Sequence, residues 1–249
     1  MRRFTDHYCK TATNRAGILV PRLNRMLRLA RKLGIMVVHS PTEVSEDYVG
    51  TPQRERAVVP PEQRVPLPVN LSRALPGGGS DLPPIPSSCA EPLNSPCECG
   101  GTAGFCQFNE GEGRMHASVE IGAEDYIVGG INGGATNGGR GGGSSEIFSL
   151  LKTKGITTLI YLGIAENVCV LNKAEGMKAM YTHGFDVHLA RDVTDAFTEF
   201  AVPAAYPVDP MCVPENGTRT VTAWMERHFS PTISAEELLK AEGMWAGLA

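Results

Sequence analysis

A single cysteine lies between a predicted strand and a predicted helix in the stretch YLGIAENVCVLNKAEGMKAM, residues 161–180. The apolar run that ends at Gly163 predicts the strand, and the pattern of residues 167–182 predicts a helix that starts beside Cys169. Unpaired N–H groups and the macrodipole at a helix start favour a thiolate over a thiol. The sequence therefore makes Cys169 a candidate nucleophile for attack on a carbonyl group. The alternative is that Cys169 is a small buried hydrophobic side chain.

Other polar residues lie where they would approach this thiol. Glu166 and Asn167 directly precede it, and they either cap the predicted helix or face the pocket, capping being the more ordinary role. His39 ends a predicted strand and is followed by Glu43 and Asp47. A histidine at a strand end is ordinarily a satisfied structural residue, and this spacing is not a tight ligand signature. We therefore expect no metal site here.

The elements around Cys169 alternate in type along the chain. In order, they are helix 18–33, strand 35–39, helix 145–154, strand 156–163, helix 167–182, strand 185–190 and helix 220–229. This alternation predicts an α/β fold with a doubly wound, mainly parallel sheet and helices on both faces. In such sheets ligands bind beyond the carboxyl ends of the strands, which is where Cys169 lies. We expect one domain over residues 1–249.

A segment rich in Pro, Gly and Cys interrupts the alternation at residues 50–118. It lacks sustained periodicity, so we interpret it as an irregular insertion or wrapping loop within the domain. The Gly-rich stretch 131–145 contains Arg140 and is no P-loop, because no Gly-Lys-Ser/Thr ends it. Zinc ligation, disulfides and unmodified thiols are all open for the four cysteines of the insertion, Cys89, Cys97, Cys99 and Cys106.

Composition limits the class of partner. The net charge of −4 and the pI near 5.9 indicate neither a nucleic-acid footprint nor an anionic-membrane footprint. No apolar run approaches the roughly 18 residues of a membrane span, and the first ten residues lack the apolar core of a signal peptide. We expect a cytoplasmic protein with a small-molecule substrate and no nucleic-acid or membrane partner. It would be exported if the chain start is truncated and the cysteines are paired.

The segment GIAENVCVLNKAEGMKAMYTHGFDVHLARDVTDAF resembles the signature of the isochorismatase-like cysteine hydrolases, which include the nicotinamidases. That signature is a buried strand, a glycine, two residues joined by a cis peptide, three more residues, Cys-Val, a helix, and then a Gly-hydrophobic-x-Val strand with an Asp-rich end. The resemblance covers residues 145–200 well and 15–57 more loosely. The matching positions are Gly163, Ile164, Ala165, Cys169, Val170, Gly184, Val187, Asp192 and Asp195.

The resemblance implies a doubly wound sheet, Cys169 as nucleophile and a cis peptide bond between Ile164 and Ala165. The N–H groups of Ala165 and Cys169 would then face the same oxyanion. Asp192 and Asp195 would lie at the sheet's carboxyl edge, where the role of such residues is more often to fix loops by hydrogen bonds than to do chemistry.

Two of the family's catalytic positions are not matched. In the family, the catalytic Asp ends the first strand. The residues HYC, 7–9 of this chain, resemble the end of that strand in a less studied branch of the superfamily, and this match puts Arg2 at the position of the Asp. Asp6 and His7 are the nearest substitutes. Either the chain start is truncated or completed by a partner chain, or a central strand is lost. The family's Lys is also absent, since Arg140 is the only cation between Glu120 and Leu151. An arginine binds a carboxylate or oxyanion but does not shuttle a proton.

These observations lead to two classes of function. The first is a cysteine hydrolase that cleaves the C–N bond of a small amide through a thioester on Cys169, with the Ala165 N–H in the oxyanion hole and Asp6 as the candidate base. The second is a catalytically degenerate member that serves as a scaffold or subunit of an assembly, and a minor third is an isochorismatase-type reaction that needs no Cys. We expect no cofactor and a homo-oligomer. Substrate contacts are expected from Ile164, Glu166, Asn167, His39 and Arg140.

Overall fold

The computed structural model describes residues 10–41, 48–68, 73–75, 115–128, 143–196 and 214–246. Its helices are α1 (Lys10–Lys32), α2 (Pro52–Ala57), α3 (Gly143–Thr153), α4 (Met177–Thr182), α5 (Pro214–His228) and α6 (Ala235–Ala246). Its strands are β1 (Val38–His39), β2 (Tyr126–Ile127), β3 (Thr158–Ile164), β4 (Asp186–Asp195) and β5 (Thr232–Ile233). A 3-10 turn at Pro61–Gln63 and a π-helical turn at Glu166–Val170 lie between them.

The described strands pair in two parallel sets. β1 pairs with β2, while β4 lies between β3 and β5. The pairing of β3 with β4 changes register between Tyr161 and Gly163, so an irregularity lies just before the carboxyl end of β3. Parallel strands joined through helices confirm the predicted α/β fold with a mainly parallel sheet.

Helices cover both faces of the β3–β4–β5 sheet, and the apolar residues of β4 pack into two separate clusters. On one face Val187 and Leu189 pack in the large core with α3, α4 and α5. On the other face Ala190 and Val193 pack against Met26 of α1, next to residues of α6. The sheet is therefore doubly wound, as the sequence predicts. The core side chains contributed by α3, α4 and α5 are Ile147, Phe148, Leu150, Leu151, Met177, Met180, Val221, Trp224 and Met225.

The prediction of one continuous helix over residues 167–182 is wrong. It is divided into the π-helical turn Glu166–Val170 and α4, with a break at residues 173–176. Gly176 lies in the break, and a Cβ atom there would come within 2.9 Å of the Lys173 nitrogen and the Val170 oxygen. The backbone folds back on itself at a distance that only glycine allows, so the apolar pattern continues while the helix does not.

Other boundaries also differ from the sequence prediction. α1 begins at Lys10 instead of residue 18, which places Pro21 inside the helix. The interpretation of residues 50–118 as irregular is wrong at its start, where Thr51 caps α2 by accepting a hydrogen bond from the Arg54 N–H at 3.3 Å. Most of that insertion, with its four cysteines, lies outside the described residues. Among the described residues, no helix is both long and apolar enough to cross a membrane.

Candidate active site

Cys169 lies on the π-helical turn that follows the carboxyl end of β3. The peptide bond between Ile164 and Ala165 is cis, as the resemblance implies, and the turn starts at the next residue. The Val170 N–H donates to the Ala165 carbonyl at 3.0 Å, and the Lys173 N–H donates to the Cys169 carbonyl at 3.2 Å. The thiol is half-buried. The helical geometry breaks soon after this turn, at residues 173–176, so Cys169 does not lie at the start of a long helix.

Glu166 is fully buried at the start of this turn. Its Oε1 accepts a hydrogen bond from the Thr222 hydroxyl of α5 at 3.0 Å, and its Oε2 has no partner. The preference for a capping role is therefore wrong, since the carboxyl reaches α5 and not the N–H groups of its own turn. Burial raises the pKa of Glu166 to about 8, helped by the nearby carboxylates of Asp195 and Glu226 and opposed by the Thr222 hydrogen bond.

The carboxyl end of β4 is fixed to both β3 and α5 beside this turn. Thr194 donates to the Gly163 carbonyl at 2.9 Å, and Asp195 is the register partner of Ile164. The Thr218 hydroxyl donates to Asp195 Oδ1 at 2.8 Å and accepts from the Ala196 N–H at 3.0 Å. These bonds are the loop-fixing role expected for Asp195.

The other aspartate of the Asp-rich segment has the same kind of role. Both oxygens of Asp192 accept from the Ala235 N–H, at 3.0 and 3.1 Å, at the start of α6. The Asp192 side chain therefore fixes α6 to β4. In the described contacts, both Asp192 and Asp195 make structural hydrogen bonds.

His39 lies at the carboxyl end of β1 in a buried ionic network. Its Nε2 bonds to Asp125 Oδ2 at 2.7 Å, and the Arg31 Nε donates to Asp125 Oδ1 at 2.9 Å. The Gly122 N–H donates to the same carboxylate at 2.8 Å. Burial alone would raise the pKa of Asp125, but the hydrogen bonds from Arg31, His39 and Gly122 hold it well below its usual range. One ring nitrogen of His39 is thus engaged, and its role as a substrate contact stays a prediction.

A second buried ion pair joins the Cys169 turn to β1. The Lys173 ammonium lies 2.8 Å from Glu175 Oε1 and also donates to the carbonyl of Ser40, the residue after β1, at 3.0 Å. The Ser40 hydroxyl donates to Glu175 Oε1 at 2.7 Å, and the Tyr161 hydroxyl donates to the Glu175 carbonyl at 2.8 Å. Burial tends to raise the pKa of Glu175, but Lys173 and Ser40 lower it below its usual value.

Sequence reasoning missed this Lys173–Glu175 pair. The only signal for it was the Lys-x-Glu spacing in NKAEG, which is common on exposed surfaces. The pair is buried because the break at residues 173–176 turns both side chains back toward the end of β1.

Replacing Lys173 by Met is expected to lower the free energy of unfolding by about 3 kcal/mol, because the Glu175 carboxylate is left buried without its cation. Urea unfolding at pH 7 followed by circular dichroism measures this loss. Lys240→Met is the matched control, since Lys240 and Glu236 form a pair that is exposed on both sides. Equal losses in the two variants would contradict a structural role for the buried pair.

Five of the predicted site residues lie within one six-residue segment. Ile164 to Asn167 are consecutive and Cys169 follows after one more residue, so all five run from the end of β3 into the turn; the Asn167 carbonyl accepts from the Asn172 side chain at 2.9 Å. His39 lies one residue before Ser40, which contacts Lys173. Asp6 and Arg140 lie outside the described residues, as do Glu43 and Asp47. Within the described ranges, no group of three His, Cys, Asp or Glu side chains is placed to hold a metal ion.

Comparison with solved structures aligns most of this chain with a cysteine hydrolase, an isochorismatase family protein and an amidase, each at low identity and with a TM-score under 0.5. A cysteine hydrolase from Pseudomonas syringae pv. phaseolicola is 14% identical, with 95% of this chain and 84% of that one covered and a TM-score of 0.49. An isochorismatase family protein from Desulfovibrio vulgaris is 15% identical, with 96% and 87% covered and a TM-score of 0.43. N-carbamoylsarcosine amidase from Thermoplasma acidophilum is 12% identical, with 89% and 84% covered and a TM-score of 0.42. No family model and no curated protein matches the chain.

Proposed function

We propose that this chain is a cysteine hydrolase that cleaves the C–N bond of a small amide through a thioester on Cys169. The observation that carries the proposal is the half-buried Cys169 thiol beyond the carboxyl end of the parallel strand β3, on the turn whose sequence resembles the hydrolase signature. Ligands of doubly wound sheets bind at that edge. A cysteine there is placed to meet a bound carbonyl group.

The reaction would proceed in two balanced steps. The Cys169 thiolate attacks the amide carbon, the carbonyl electron pair moves to oxygen, and the N–H groups of Ala165 and Cys169 bind the oxyanion. Collapse of this tetrahedral intermediate breaks the C–N bond. The protonated amine departs, and the acyl group stays bound to Cys169 as a thioester. Water then attacks the thioester carbon, which releases a carboxylic acid and restores the thiol. Asp6 remains the candidate that carries the proton from the thiol to the leaving nitrogen.

Cys169→Ala is expected to abolish turnover of any small amide that the protein hydrolyses, because the proposed mechanism forms its thioester on Cys169. Ammonia or amine release from a panel of small aliphatic, aromatic and carbamoyl amides measures activity, and mass spectrometry detects the acyl adduct on Cys169. Cys9→Ala is the control, as the same change at a thiol outside the turn. Activity retained in Cys169→Ala would contradict the proposal.

The described ionisable groups near the turn favour a second candidate, a degenerate member that serves as a subunit of an assembly. His39 is bonded to Asp125 and Lys173 to Glu175, so both of these ionisable side chains already have partners within the described residues. A protein of this kind would show no amide turnover and slow alkylation of Cys169. A homo-oligomer is proposed for either candidate, and light scattering at several protein concentrations tests it.

A further inference from the structure

The exposed side of α1 concentrates positive charge. Seven of the 23 residues of α1 are Lys or Arg, and all 27 acidic residues of the chain lie outside this helix. Arg22 and Arg25, the arginine row, are exposed and form no ion pair within the described residues. Like charges one helical turn apart repel each other, so the row weakens α1 unless an acidic group from outside the helix faces it.

An acidic strip, Glu120 and Glu124, lies beside the arginine row. The segment that contains it packs against α1, because the Asn24 side chain accepts from the Glu120 N–H at 2.9 Å and the Arg28 guanidinium lies 2.5 Å from the Glu120 carboxylate. The Glu120 and Glu124 side chains are 45% and 89% exposed. Each has an arginine partner in the chain, at 2.5 and 3.6 Å, but both carboxylates remain open to water.

The arginine row and the acidic strip are neighbouring halves of one surface. Arg22 and Arg28 are six residues apart, which is about 9 Å along the helix axis, and Arg28 reaches the acidic strip. Each half also carries an exposed apolar side chain. Ile18, one helical turn before Arg22, is 78% exposed, and Ile121, directly after Glu120, is 39% exposed.

A surface with this arrangement is complementary to its own copy. A two-fold axis sets one surface patch against the same patch of a second molecule, so that residue i meets residue j and residue j meets residue i. The arginine row of each copy would then face Glu120 and Glu124 of the other. A uniformly acidic partner would match the arginine row but be repelled by the acidic strip, whereas a second copy matches both halves.

We propose that this surface is an interface between two copies of the chain, in which the arginine row of each copy binds the acidic strip of the other around a two-fold axis. Ile18 and Ile121 lose contact with water as the two surfaces meet. The inference names the face of the homo-oligomer proposed above, and it is independent of any reaction at Cys169.

The first test is the oligomeric state of the wild-type protein, measured by sedimentation velocity over a range of protein concentrations. Charges act over about 10 Å in 0.1 M NaCl and over about 3 Å in 1 M NaCl. Dimers are expected at the lower salt concentration, with a dissociation constant that rises at least about tenfold at the higher one. Wild type that stays monomeric, or a dimer whose dissociation constant ignores salt, would overturn the proposal.

Charge reversal tests which residues form the interface. Arg22→Glu with Arg25→Glu is one double variant, and Glu120→Lys with Glu124→Lys is the other. Each alone is expected to raise the dissociation constant of the dimer at least about a hundredfold, because like charges then oppose each other in both contacts. An equimolar mixture of the two variants restores opposite charges in both contacts, so it should form heterodimers as tight as the wild-type dimer. A mixture that remains monomeric contradicts the proposed pairing.

Arg219→Glu with Arg227→Glu is the matched control, since both arginines are exposed on α5 and the change in net charge is the same as in the arginine-row variant. This control should keep the wild-type dissociation constant, and an equal weakening would show that net charge, not this surface, governs association. Circular dichroism checks that each variant is folded, and the salt dependence of wild type decides if one is not. The hydrolase proposal fails separately, through amide turnover that survives Cys169→Ala.

Discussion

Asp125→Ala is expected to lower the free energy of unfolding by about 3–5 kcal/mol, because it removes the carboxylate at the centre of a buried network. Asp125 is 2% exposed and takes hydrogen bonds from Arg31, His39 and the Gly122 N–H. Without the Asp125 carboxylate, the Arg31 guanidinium of α1 and the His39 imidazole at the end of β1 lose the hydrogen-bond acceptor that they share. Urea unfolding at pH 7 measures the loss.

Asp186→Ala is the matched control for this change. Asp186 also pairs with an arginine, Arg73, but both side chains are substantially exposed, and an ion pair of that kind contributes less than about 1 kcal/mol. If Asp125→Ala and Asp186→Ala lowered the free energy of unfolding by the same amount, the buried network would contribute no more to stability than an exposed ion pair. Since the network joins α1 to the end of β1, its loss is also expected to loosen the edge of the sheet that carries His39.

The pH dependence of the free energy of unfolding in acid gives a second test of the contribution of Asp125 to stability. The pKa of Asp125 is lower in the folded chain than in the unfolded chain, so below about pH 4 the unfolded chain binds the proton first. The stabilising contribution is therefore complete above pH 4 and is lost as the pH falls toward the depressed folded value. Asp125→Asn, which carries no titratable group there, should lose this part of the acid dependence.

The alternation of element types was enough to predict the fold class and the location of Cys169. The apolar run before Gly163 does form β3, and residues 186–190 of the strand predicted over 185–190 form the first part of β4. β2 and β5 were not predicted, because each has only two paired residues and so too little sequence for a period-two pattern. The break at Gly176 was not predicted either, since it depends on how closely two backbone segments approach.

Local sequence patterns could not predict the side-chain contacts of the site, because these contacts join residues that are far apart in the sequence. Thr222 lies 56 residues from Glu166, and Asp125 lies 86 residues from His39. A polar residue beside a predicted helix start suggests a cap when only its neighbours are considered. Burial by α5 decides the role of Glu166, and that burial exists only after β3, β4 and α5 have packed together.

Glu166→Gln is expected to make the protein more stable than wild type at pH 7–8, by up to roughly 3 kcal/mol, and to leave stability nearly unchanged near pH 4.5. The pKa of Glu166 is raised from 4.5 to about 8 in the folded chain, so between these values the folded chain holds a proton that the unfolded chain has released. The free energy of unfolding of wild type must therefore fall as the pH rises through this window and level off above pH 8.

Urea unfolding of wild type and Glu166→Gln at half-unit steps from pH 4.5 to 8.5 tests this expectation. Glu124→Gln is the control, because Glu124 is 89% exposed and its removal should give a curve parallel to that of wild type. A Glu166→Gln curve that also runs parallel to wild type would show that Glu166 is charged in the folded chain. The glutamine keeps an oxygen for the Thr222 hydroxyl, so a difference in slope isolates the charge from the hydrogen bond. That slope therefore determines whether the Glu166 carboxyl, on the turn that carries Cys169, is uncharged in the folded chain at neutral pH.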